Sequence, residues 1–100
     1  MQRHILILKK AHQLLSVPGV HTTGTSEDKD GKLDLARAIF KATTLVEGGE
    51  LGKGTAIGAV YQVLRSNGYT GSIFNFNDLY KLEDILKVLK IASEGENHEK

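Results

Sequence analysis

The chain has no cysteine, no tryptophan and a single proline in 100 residues. Without cysteine there is no disulfide, no zinc–thiolate centre and no thiol nucleophile. That composition suits a reducing compartment, and a cytoplasmic protein is the expectation. Neither sign of charge dominates: 13 Lys and Arg stand against 12 Asp and Glu, a net +1. A dedicated nucleic-acid binder shows a basic excess or stripe, so nucleic acid is not a favoured partner. Long apolar runs are also missing. Ile5-Leu6-Ile7-Leu8 near the start is too short for a signal-peptide core of ~7–15 residues or a membrane span of ~20.

What is present is helical periodicity. A first stripe runs from Arg3 to Ser16 through Ile5, Leu8, Ala11 and Leu15, and Pro18-Gly19 ends it. A second spans Asp34 to Val46 through Leu35, Ala38, Ile39 and Ala42, with Asp34 placed to cap it. A third runs from Thr55, read as an N-cap, through Ala56, Val60 and Leu64 to Asn67, with Gly68 as the left-handed residue beyond it. A fourth, from Leu79 to Ser93, carries Leu82, Ile85, Leu86 and Leu89 on one face. The expected fold is all-α: a compact bundle of about four helices in one domain over residues 1–93, with a short extended segment near residues 20–25. Residues 94–100 read as a polar tail.

Candidate chemistry is sparse. Asp28, Asp30, Gly31 and Asp34 resemble part of a calcium loop, but Ser26 and Arg37 stand where its first ligand and its bidentate glutamate belong. An Asp-Gly turn leading into a helix explains the same residues. The glycine-rich stretch from Gly48 to Thr55 lacks the Ser or Thr directly after Lys53 that a Walker A loop requires, which excludes that ATPase chemistry. Lys53, Gly54 and Thr55 at a helix start could still hold a phosphate or carboxylate, or simply form a connector. The four histidines make no i, i+3 or i, i+4 pair, and His12 reads as a half-buried packing residue. The carboxylate pair Glu83 and Asp84 reads as exposed, with no apolar cleft of the kind a catalytic acid needs. No catalytic set and no cofactor are expected.

The most distinctive triplet is Phe76-Asn77-Asp78. In one reading Asn75 or Asn77 caps the last helix and Phe74 and Phe76 plug the core. In the other, Asn77 and Asp78 project beside Phe76 and Tyr80 to grip a base or a partner's backbone, with Arg65, Tyr61 and Tyr69 completing the surface. Capping is the favoured of the two.

Taken together, Ile73, Phe76, Asn77 and Asp78, Gly58-Ala59, Leu35-Ala36-Arg37-Ala38, Asp28 with Gly31 and Leu14-Leu15 with Gly19 resemble a family of small domains of unknown function from phages, mobile elements and soil bacteria. Family members tend to carry Trp-Cys ahead of the Gly-Ala pair, where this chain has Thr55 and Ala56, and Trp where it has Phe76. The resemblance implies a mobile-element context and no reaction. The functional expectation is a non-catalytic binding module, which could assemble as a homo-oligomer, that sequesters a small anionic or nucleotide-like ligand between Lys53, Gly54, Thr55, Arg65, Phe76, Asn77 and Asp78. The alternative is an inhibitor or adaptor that binds a host protein and no small ligand.

Overall fold

The computed structural model describes residues 2–23 and 32–94. Among them the chain is all-helical: α1 (Arg3–Leu15), α2 (Leu35–Leu45), α3 (Lys53–Ser66), α4 (Ile73–Leu79) and α5 (Leu82–Ser93), with one 3-10 turn at Gly49–Leu51. Four of these are the striped segments. The fifth, α4, lies where a connection was expected, so about four helices becomes five.

One core unites them. Ile7, Leu8, Ala11 and Leu15 of α1 meet Leu35, Ala38, Ile39 and Ala42 of α2, Val60 and Leu64 of α3, Ile73 and Phe76 of α4, and Ile85 and Leu89 of α5. The first helix is the hub, packing most extensively on α2 and α5 and also on α3. Burying such side chains contributes ~1.5–3 kcal/mol each, which is why short helices of middling propensity hold together.

The ends follow local chemistry. Gly68 at φ 86° closes α3. Tyr69 N donates to Leu64 O at 3.0 Å and Gly68 N to Arg65 O at 3.1 Å, the paired bonds of a Schellman ending. Asp34 caps α2 as expected, its Oδ1 accepting from Arg37 N at 2.7 Å. Two other assignments are corrected. Gly52, not Thr55, occupies the N-cap of α3, so Thr55 stands exposed in the first turn. Neither Asn75 nor Asn77 caps the last helix: α5 has Lys81 at its N-cap and no side-chain cap, with Glu83 and Asp84 facing its positive end instead.

The fourth helix exists because Ser72 Oγ accepts from Asn75 N at 3.1 Å and Tyr61 Oη accepts from Ile73 N at 3.1 Å. Both orphan amides belong to its first turn. Its inward residues Ile73, Phe76 and Asn77 have i, i+3, i+4 spacing.

The extended piece expected near residues 20–25 reduces, among the described residues, to one isolated parallel bridge between His21 and Leu33. Leu33 N donates to Val20 O at 2.7 Å and Thr22 N to Leu33 O at 3.0 Å. Asp28, Asp30 and Gly31 lie outside the described residues, as does the stretch 95–100. Among the described residues no helix is long and apolar enough to cross a membrane.

Candidate functional site

The residues expected to form a ligand site are not gathered in one place. Lys53, Gly54 and Thr55 begin α3, at the end of the bundle where α1 starts and α2 finishes. Arg65 lies twelve residues further along α3, about 18 Å away at the ordinary helical rise. Phe76, Asn77 and Asp78 are on α4, which meets α2 at its opposite end, through Leu35. The two groups thus stand towards opposite ends of α2.

The glycine corner is built for packing. A Cβ on Gly49 would collide with the carbonyl oxygen of Thr43, and one on Gly52 would stand 2.9 Å from Arg3 Cβ and 3.0 Å from His4 N. Both glycines therefore let the connector press against α2 and α1, and Gly52 is buried. Lys53 is already engaged: its Nζ is 3.8 Å from Glu50 Oε1 and sits 5.5 Å from the centre of the Phe40 ring.

Asn77 is equally committed. It is 1% exposed. Leu35 N donates to its Oδ1 at 3.0 Å, and its Nδ2 donates to Thr22 O at 3.0 Å and towards Asp78 Oδ1 at 3.3 Å. A backbone amide can only donate and a carbonyl only accept, so these two partners fix which side-chain atom is oxygen and which is nitrogen. His21 Nε2, 2.8 Å from the same Oδ1, must then be the donor, which assigns the proton to Nε2. Asn77 thus shares the capping of α2 with Asp34 and pins the His21–Leu33 bridge, a role carried across 56 residues of sequence.

Arg65 braces the turn after α3. Its Nη1 donates to Tyr69 O at 2.9 Å and Gly71 O at 3.2 Å, and the guanidinium lies 5.0 Å from the Tyr61 ring centre.

Phe76 lines a cleft of about 250 Å³ between the end of α3, α4 and α5. Leu64, Phe76, Val88 and Ile91 form its apolar floor, and Asn67, Tyr69, Tyr80, Asp84 and Lys87 its rim. Its aromatic wall is ordered by ring contacts. Phe76 and Tyr80 stack at 4.5 Å, while Tyr69 meets Phe76 edge-on at 5.3 Å and Tyr80 at 6.0 Å. The Tyr69 hydroxyl donates to Ser72 O at 2.9 Å. Burial, reinforced by the neighbouring phenols of Tyr80 and Tyr61, pushes its pKa above the usual 10.0, and Arg65 opposes them.

Asp84, read from sequence as exposed, is half-buried and lines this cleft, while Glu83 is exposed as expected. The placement of Asp84 is not recognisable from sequence because the cleft needs α4, which was expected to be a connection. The sequence does hold a signal for α4, a Ser72 cap followed by the Ile73, Phe76, Asn77 stripe.

Among the described residues no cluster of three or more His, Asp or Glu side chains could hold a metal ion. No family model, curated protein or solved structure matches the chain. The likeness to small phage and mobile-element domains therefore stays an expectation from sequence alone.

Proposed function

We propose that the chain is a non-catalytic binding module for another polypeptide, whose apolar side chain enters the α3–α4–α5 cleft. One observation carries this reading. Phe74 is 49% exposed, Leu79 71% and Tyr80 43%, three large apolar side chains standing in solvent on a seven-residue helix and its C-cap. Tyr80 also lines the hollow with the apolar floor. Large apolar side chains left in solvent next to an apolar hollow are a mark of interaction sites. The polar groups that an anion-capturing site would have used are meanwhile occupied: Lys53 by Glu50 and Phe40, Asn77 by α2, Arg65 by the turn after α3.

A second reading keeps the small nucleotide-like ligand but moves it to the cleft. The aromatic wall would stack one planar ring, and the Lys87 ammonium would meet its anionic part. The volume is below the ~300–1,000 Å³ of ordinary ligand pockets, enough for one ring system and little more.

A photo-crosslinking residue at position 79, with position 51 as an equally exposed control at the other end of α3, separates the readings. Polypeptide adducts at 79 and none at 51 support the first. No adduct at either, together with calorimetric binding of nucleotides that Lys87→Ala weakens, replaces it with the second.

A further inference from the structure

The solvent side of α5 has a polarity of its own. Glu83 and Asp84 occupy its first turn, and Lys87 and Lys90 follow. Among the described residues none of these four side chains makes an ion pair or hydrogen bond within the chain. The helix dipole alone favours acids first and bases last. What goes beyond it is the apolar placement. Asp84, Lys87 and Ile91 are spaced three and four apart along α5, the rhythm of a helix-pairing seam, and Tyr80, in extended backbone just before the helix, stands at the same cleft. All four line the cleft, Tyr80, Asp84 and Lys87 at its rim and Ile91 in its floor.

We infer that the polypeptide bound at this edge is a second copy of the chain, paired antiparallel through α5 about a two-fold axis. This rests on the reading of the α4–α5 edge as a polypeptide-binding surface. The surface is its own complement. The register that sets Asp84 opposite Lys87 of the second copy brings its Ile91 to the end of the helix next to Tyr80, and each pairing occurs twice by symmetry. Glu83 then flanks Lys90 of the second copy, so acidic half lies on basic half throughout. A parallel pairing would instead oppose like charges. The exposed Leu79 stands next to Tyr80 at the margin, where the second copy covers it.

Sedimentation velocity on the full chain, over a concentration series at low and moderate salt, tests this. The wild-type mass is expected to rise towards twice the 10.9 kDa of one chain, and more readily at low salt. Asp84→Lys and Lys87→Glu each place like charges across the axis and should weaken association by about tenfold or more. Mixing the two variants restores both pairings, so the mixture should associate at least as well as wild type. Rescue by mixing cannot come from misfolded chains, and circular dichroism checks each variant alone.

A wild type monomeric at every concentration overturns the inference, as does a dimer indifferent to both reversals or a mixture no more associated than its parts. If the wild type is monomeric yet position 79 still captures a different polypeptide, this pairing is refuted and the binding-surface reading stands. If it is monomeric and captures nothing, both fall.

Discussion

Replacing Asn77 with alanine should be among the most damaging single changes in this chain, although the residue is neither large nor apolar. The side chain accepts from His21 Nε2 and Leu35 N and donates to Thr22 O, all within 2.8–3.0 Å. Truncation leaves the Leu35 amide at the start of α2 and the Thr22 carbonyl without their side-chain partner. A buried polar group so orphaned costs ~1–3 kcal/mol, and an ordinary hydrogen bond ~1 kcal/mol net. Two orphaned groups and a lost His21 contact together give about 3–7 kcal/mol. A domain of this size has ~5–15 kcal/mol in total, and ~1 kcal/mol moves its Tm by ~4–8 °C. Asn77→Ala should therefore lower Tm by ~15 °C or more and shift the urea midpoint by a large fraction of its value. Asn77→Asp is a sharper probe. It keeps an oxygen for Leu35 but turns a second oxygen towards the Thr22 carbonyl and the Asp78 carboxylate, so it should not rescue the alanine variant. Asn75→Ala is the control, because that side chain is exposed, and should stay within ~0.5 kcal/mol. If Asn77→Ala costs under ~1 kcal/mol, matching Asn75→Ala, then Asn77 does not hold the two halves together and the reasoning fails.

Other outcomes follow from the same geometry. Gly58 is exposed within α3, and a methyl group there would meet nothing within 4 Å, so Gly58→Ala should raise stability by ~0.5–1 kcal/mol in urea unfolding. Gly52→Ala, pressed against Arg3 and His4, should lower it by ~1–3 kcal/mol in the same assay. Ser72→Ala removes the cap of α4 and should cost ~1 kcal/mol, whereas Thr55→Ala should be close to neutral in thermal melts. Tyr69, with its pKa raised by burial, favours the neutral phenol in the folded state. Its contribution is whole below pH 10.0, where the unfolded chain begins to ionise, and is lost as pH climbs through the folded value. Absorbance at alkaline pH should show one phenol titrating late, and Tyr69→Phe should abolish that late step.

The parts of the fold visible in sequence are those fixed by short-range pattern. Leu35, Ala38, Ile39 and Ala42 mark α2 with no help from other segments, and Pro18-Gly19 and Gly68 mark helix ends by backbone chemistry alone. Asp34 reads correctly as a cap for the same reason. What escapes depends on distant partners. The amide that Asn77 caps belongs to Leu35, not to its own neighbourhood, and its other partners, His21 and Thr22, lie further off still. Gly49 and Gly52 look like a flexible anion loop until Thr43, Arg3 and His4 are seen against them. Phe76 stands out beside Tyr80 in sequence, and Tyr69 reads as completing a surface. The cleft they share cannot be drawn without α4, too short for its stripe to stand out. Asp84 and Lys87 look like ordinary solvated charges because their significance lies in which wall they edge.

The hub position of α1 has a consequence for biosynthesis. Of the five described helices α1 is synthesised before the others, and it packs chiefly on α2 and on α5, the one synthesised after the other four. The buried face of α1 therefore cannot be fully sheltered until translation has passed Leu89, and a nascent chain stalled before α5 presents a greasy α1 to any chaperone within reach.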